Sequence, residues 1–128
     1  MRMSRVLPFL MFAVILALPG IVFAQAAITG QYDCSGANAD GSGAYTGTVT
    51  ITKDSYDAYK FKWSLGGDSY SGIGIVTGDV ISVGYKAVGS KDFGVVAYQV
   101  KDGGATLVGK WIFYPGGSRL ANETLKRK

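Results

Sequence analysis

From about residue 28 to the end of the chain, large apolar residues recur at every second position. Residues 59–65, for example, read Tyr-Lys-Phe-Lys-Trp-Ser-Leu, with the large apolar side chains on one face and the polar ones on the other. A period of two is typical of a half-buried β-strand, whereas an amphipathic helix repeats every 3.6 residues. No helical repeat of useful length is present in this region. The pattern therefore predicts an all-β domain.

Eight strands are predicted, each bounded by residues that favour turns, such as glycine, aspartate, asparagine and serine. They are Ile28–Cys34, Ala44–Lys53, Ala58–Leu65, Ser69–Thr77, Val80–Lys86, Phe93–Lys101, Ala105–Tyr114 and Arg119–Lys126. Because the connections are short, strands that are neighbours in sequence should pair as antiparallel hairpins. The predicted fold is an antiparallel up-and-down meander of about eight strands forming a small barrel, with a β-sandwich as the alternative.

Glycine occupies the middle of several predicted strands, where it costs about 0.5–1 kcal/mol relative to alanine. The clearest copy of a recurring pattern is Leu107-Val108-Gly109-Lys110-Trp111, in which glycine lies two residues from a large side chain on either side. Glycine lets a sheet bend and lets an aromatic ring approach the backbone closely. Alternating small and large inward residues also fill a narrow barrel. The glycines therefore favour the barrel over the sandwich.

The first 24 residues have the three parts of a secretory signal peptide: a basic start, an apolar run over residues 6–18, and a Pro-Gly break followed by a small residue at Ala24. We expect cleavage after Ala24, which leaves one domain of residues 25–128 in the periplasm or outside the cell. That domain should not insert stably into a membrane. The alternative is a retained anchor, since the apolar stretch approaches the length of a spanning helix.

Charge argues against nucleic acid as a partner. Loss of Arg2 and Arg5 with the signal peptide lowers the formal net charge from +4 to +2, which is too small for an electrostatic footprint on DNA or RNA.

Several chemistries lack their residues in this chain. The chain has no histidine, so a Ser-His-Asp or Cys-His arrangement is excluded. The acidic residues are almost all in predicted turns, where they cap their own backbone. We therefore predict no metal site, no cofactor and no enzymatic activity. The single cysteine, Cys34, is interpreted as an inert structural thiol.

Aromatic residues give the better indication of function. Most of them should lie in the core, but Tyr and Trp side chains near a barrel mouth also build small-ligand and protein-binding sites. The candidate residues for such a site are Trp63, Trp111, Tyr85 and Tyr98.

The fourth to sixth predicted strands carry apolar residues on both faces. One face is interpreted as Ile73, Ile75, Ile81, Val83 and Val96, and the other holds Tyr70, Val76, Phe93 and Val95. Either the chain covers both faces by packing in two layers, or a subunit or partner covers one of them. Ile73, Ile75 and Val83 are therefore candidate residues of an interface with a protein partner or a second copy.

Two resemblances accompany these patterns. The segment Leu107–Trp111 and its weaker copies resemble the hydrophobic-x-Gly-x-aromatic strands of lipocalin-like and avidin-like barrels. Six segments in order also resemble a group of small exported bacterial all-β proteins, some of which are labelled fibronectin-binding; they are Gly30–Cys34, Tyr45–Gly47, Ser71–Ile75, Val83–Tyr85, Val96–Tyr98 and Gly109–Trp111. The second resemblance implies adhesion to a host matrix protein.

The sequence as a whole predicts an exported, non-enzymatic binding module. Its ligand is either a protein, such as a host matrix protein, or a small apolar molecule. Two alternatives stay open: a small outer-membrane β-barrel and an enzyme of unknown type.

Overall fold

The computed structural model describes residues 27–115 and 119–128, and these residues form a closed β-barrel. The strands are β1 (Gly30–Ala37), β2 (Ala44–Lys53), β3 (Tyr59–Leu65), β4 (Asp68–Thr77), β5 (Val80–Ala87), β6 (Phe93–Lys101), β7 (Thr106–Tyr114) and β8 (Ala121–Arg127). A one-turn 3-10 helix, Asp102–Gly104, lies between β6 and β7. The predicted signal peptide, residues 1–24, lies outside the described residues.

Each strand pairs antiparallel with the next, and β8 pairs with β1 to close the sheet. The predicted up-and-down barrel is therefore confirmed, and the sandwich alternative is wrong. Local chemistry explains the tight connections. The loop from β3 to β4 is Gly66-Gly67 with φ values of +60° and +109°, and a two-residue hairpin that needs positive φ at both positions favours glycine.

The barrel is packed solid at one end, which we call the closed end. The largest fully buried side chains are Tyr32, Tyr98, Phe61, Ile28, Ile51, Ile81, Leu107 and Leu125. At this end the Tyr32 hydroxyl lies 2.8 Å from the carbonyl oxygens of both Ile28 and Gly104. Arg127 donates a hydrogen bond of 3.0 Å to the same hydroxyl, and its guanidinium lies 5.4 Å from the Tyr32 ring centroid. The closed end is therefore held together by hydrogen bonds of the Tyr32 hydroxyl and by a cation–π pair between Arg127 and the Tyr32 ring.

The face assignment made for the middle strands is wrong in β4. Ile73 and Ile75 are 58 % and 61 % exposed on the outer wall, whereas Val83 is 2 % exposed inside the barrel. Val83 pairs directly with Gly74, and paired residues point to the same side of a sheet. The inward positions of β4 therefore include glycines, which the hydrophobic pattern does not reveal. Ile81 and Val96 are also buried inside.

Inward glycines make room for aromatic rings. Gly109 pairs with Tyr98, and a Cβ atom at Gly109 would lie 2.5 Å from Cδ1 of the Tyr98 ring. The ring is fully buried, so it has nowhere to move. The predicted close approach of an aromatic ring to a mid-strand glycine is thus present at the clearest copy of the motif.

We expect Gly109→Ala to lower the free energy of unfolding by about 1–3 kcal/mol, the usual cost of overpacking. The matched control is Gly84→Ala, because Gly84 lies exposed in β5 and a Cβ there would meet nothing within 4 Å. That control should gain about 0.5–1 kcal/mol, since alanine loses less conformational entropy than glycine on folding. Urea denaturation measures both values, and equal effects at the two sites would contradict the packing argument.

Candidate functional site

A cavity of about 320 Å³ lies inside the barrel at the end opposite the closed end. The side chains of its aromatic wall come from five strands and point inward; they are Tyr45, Trp63, Tyr70, Tyr85, Trp111 and Phe113. Asn38, Asp68 and Asp92 line the cavity where the strands meet the connecting loops. The barrel therefore has a packed half and a hollow half.

The aromatic wall is a set of rings in mutual contact. The rings of Trp63 and Tyr85 have centroids 5.8 Å apart, and those of Tyr70 and Tyr85 are 6.1 Å apart in an edge-to-face arrangement. On the opposite side Trp111 lies 6.2 Å from Tyr45, also edge to face. Such contacts hold each ring in one orientation. The rings of the wall therefore support one another in the positions described.

Glu123 forms the floor of the cavity and is only 5 % exposed. Tyr45 donates a hydrogen bond of 2.9 Å to its Oε1. Trp63 Nε1 donates to Oε2 at 3.3 Å, and the Tyr98 hydroxyl donates a hydrogen bond to the same oxygen. An indole N–H can only donate, so the arrangement suits a carboxylate that accepts from three neutral donors.

The charge of Glu123 influences the groups around it. Burial raises the pKa of Tyr98 well above its ordinary value, and the negative charge of Glu123 raises it further. The same two causes, in the same order, raise the pKa of Tyr45 and of Tyr85. These phenols therefore remain protonated at neutral pH and available as donors.

Cys34 lies buried in β1, close enough to Glu123 for the charge of the carboxylate to act on its thiol. Burial raises the pKa of its thiol, and the nearby carboxylate raises it further. Since the thiolate is the reactive form, this environment suits the inert structural role that the sequence indicates.

One buried donor in the wall has no partner among the described residues. It is Nε1 of Trp111, on the opposite side of the cavity from the glutamate-bound Trp63. In residues 27–115 and 119–128 there is also no cluster of three or more metal-ligating side chains. No helix in the described part of the chain has the length and apolar character needed to cross a membrane.

The structure separates the predicted site residues into three groups. Trp63, Trp111 and Tyr85 line the cavity, and Tyr98 holds the floor from below through Glu123. Val83 belongs to the packed interior. Ile73 and Ile75 face outward with Val95 and Leu120 in an apolar patch on the outer wall, which we call the outer patch.

Sequence reasoning missed Glu123 as a site residue. The signal for it was present, because Glu123 lies within a predicted strand, unlike nearly every other acidic residue. It also alternates in register with Ala121 and Leu125, which are both buried. An acid on the inward side of a barrel strand is expected to have a specific partner.

Comparison with known structures shows the same fold. A redesigned beta barrel, mFAP1, bound to DFHBI, matches with a TM-score of 0.67 at 15 % sequence identity, covering 81 % of this chain and all of that one. A second structure, EF1p2_mFAP2b bound to DFHBI, matches with a TM-score of 0.64 at 10 % identity, covering 81 % of this chain and 98 % of that one. Comparison with protein families and with curated sequences gives no match. At these identities the chain is similar to the two barrels in fold alone.

Proposed function

We propose that this chain is an exported, non-enzymatic binding module that takes a small, planar, largely apolar molecule into the hollow half of its barrel. The observation that carries the proposal is the aromatic-walled cavity with a single buried polar residue, Glu123, at its floor. Ligand sites generally combine apolar walls with a few placed polar groups that fix orientation.

The size and setting of the cavity support this function. Its volume of about 320 Å³ lies near the lower end of the range for small-molecule pockets, ~300–1,000 Å³. Flat rings line the wall, and a flat ligand has the best contact with them. The two similar barrels each bind DFHBI, which supports a small molecule as the ligand for this architecture.

The outer wall bears on the alternative of an outer-membrane barrel. Outward positions of β2 are Thr46, Thr48, Thr50 and Thr52, and those of β3 include Lys60 and Lys62. A barrel in an outer membrane presents an apolar band to the lipid. These polar strands therefore favour the binding module.

A protein partner is the second candidate, and the outer patch is the observation that favours it. Its members Ile73, Ile75, Val95 and Leu120 are each more than half exposed. Apolar patches of this kind mark interaction surfaces more often than the rest of a protein surface does.

The two sites can be separated with a neutral fluorescent probe, N-phenyl-1-naphthylamine, whose emission rises in apolar surroundings. We expect saturable binding of one probe per chain. Ala87→Trp adds bulk at a partly buried position that lines the cavity, and it should weaken binding at least tenfold. Ile75→Lys, on the outer patch, is the matched control and should leave the affinity unchanged.

The reverse pattern, with Ile75→Lys abolishing the signal and Ala87→Trp retaining it, would place the probe on the outer patch and overturn the proposal. So would an absence of saturable binding. Circular dichroism of each variant establishes that the barrel is folded before the titration is interpreted.

A further inference from the structure

We infer that the ligand of this cavity is a small aromatic cation, in which a protonated amine pairs with Glu123 while the ring lies between the aromatic walls. This inference rests on the proposed function, and it names the chemical class of the ligand.

The first step is the charge at the floor. All three groups that donate to Glu123, from Tyr45, Trp63 and Tyr98, are neutral. The two ion pairs among the described residues are Lys53–Asp57 and Lys128–Asp33, and neither involves Glu123. A buried carboxylate without a countercharge is costly, and a cation delivered by a ligand would supply the missing charge.

The second step is the sign of the whole cavity. Three acidic residues, Asp68, Asp92 and Glu123, line the cavity. Among the described residues, no Lys or Arg lines it. The field of the two aspartates reaches into the wall: after burial, their negative charges contribute to the raised pKa of Tyr70. A cleft lined by one sign of charge attracts ligands of the opposite sign and repels those of the same sign.

The third step is the fit of a cation to the wall. The faces of Trp, Tyr and Phe rings attract an ammonium group electrostatically, and the attraction is strongest where water is excluded. Each ring of the wall therefore favours a positively charged ligand, as Glu123 at the floor does. A neutral apolar ligand would use the rings and leave Glu123 without a countercharge.

The fourth step is the hydrogen-bonding capacity that remains at Glu123. A carboxylate has about four acceptor sites, and the hydrogen bonds from Tyr45, Trp63 and Tyr98 leave room for an N–H from a ligand. The inferred ligand is thus a small aryl amine that donates an N–H to Glu123.

Three probes of one size and different charge test the inference: 1-naphthylmethylamine, 1-naphthalenemethanol and 1-naphthoate, titrated into the purified protein by calorimetry at pH 7. We expect the amine to bind at least tenfold more tightly than the alcohol, and the carboxylate to bind most weakly. Equal affinities for amine and alcohol, or tightest binding of the carboxylate, would overturn the inference while leaving a small-ligand site in place. Failure of all three probes to bind would overturn the proposed function and the inference with it.

Variants then assign the preference to the floor. Glu123→Gln removes the charge and keeps an amide oxygen that can accept from Trp63 and Tyr98, so the amine should lose its advantage while the alcohol binds as before. If this variant does not fold, the ratio of amine to alcohol affinities in the unmodified protein still decides whether the ligand is a cation. Asp92→Asn removes one charge at the exposed rim; we expect a loss of less than threefold for the amine. A loss at Asp92 as large as at Glu123 would contradict the placement of the amine at the floor.

Discussion

Lysine in place of Val83 is expected to destabilise the barrel strongly, whereas lysine in place of Ile75 should leave its stability nearly unchanged. The two residues lie on adjacent strands, and the hydrophobic pattern alone placed them on one face. Val83 is 2 % exposed, and its methyl groups pack over Gly72 and Gly74 with no space to spare. Ile75 is 61 % exposed on the outer wall.

The expected sizes of the two effects differ widely. An unpaired charge buried by Val83→Lys costs about 3–5 kcal/mol, a large part of the ~5–15 kcal/mol that stabilises a typical domain. A substitution on the surface, such as Ile75→Lys, changes stability by about 0.5 kcal/mol or less. Urea denaturation followed by circular dichroism measures both changes. Similar losses for the two variants would show that Ile75 is covered, by a second copy or by another layer of the chain.

The second large effect is expected from alkaline pH: the free energy of unfolding should fall steeply above about pH 10. Burial and the charge of Glu123 raise the pKa of Tyr98 well above its ordinary value of 10.0 in the folded protein. The unfolded chain has neither influence, so its tyrosine ionises near the ordinary value. Between the two pKa values the unfolded state has released a proton that the folded state retains. The stabilisation is therefore complete below pH 10 and declines as the pH rises.

For Tyr98 alone the decline is about 1.4 kcal/mol per pH unit. Tyr45 steepens the decline because its pKa is raised by the same two causes, and Cys34 adds to the slope from about pH 9, its ordinary value. Urea midpoints measured at intervals from pH 8 to pH 12 give the profile. Tyr98→Phe is the control, because its stability above pH 10 should decline less steeply by the contribution of one group. A free energy of unfolding that is the same at pH 8 and pH 11.5 would contradict the burial of these phenols beside a carboxylate.

The strands and their order were predictable because large apolar side chains fill the packed half of the barrel. Period-two alternation in β2 and β3 follows the inward and outward sides directly, and the predicted bounds of β2 and β6 coincide with the observed ones. Turn residues such as Gly66-Gly67 determine the hairpins locally. Both signals are short-range and can be read from one sequence.

The sides of β4 were not predictable from hydrophobicity, because Gly72 and Gly74 hold inward positions and Ile73 and Ile75 hold the outward positions next to them. Which side faces inward depends on the rings of Phe61 and Trp63 on the neighbouring strand, which fill the space over Gly74 and Gly72. The site depends on contacts between residues that lie still further apart in the sequence. Glu123 in β8 meets Tyr45 in β2 only because the barrel closes.

That closure has a consequence for how the chain folds. The pairing of Cys34 in β1 with Leu125 in β8 joins the two ends of the described chain, and contacts between distant residues form slowly. Until it forms, β1 and β8 are both open edges with unpaired backbone groups, which are sites for association with other chains. The finished barrel has no such edge, so the risk of aggregation is concentrated in the interval before the last pair of strands meets.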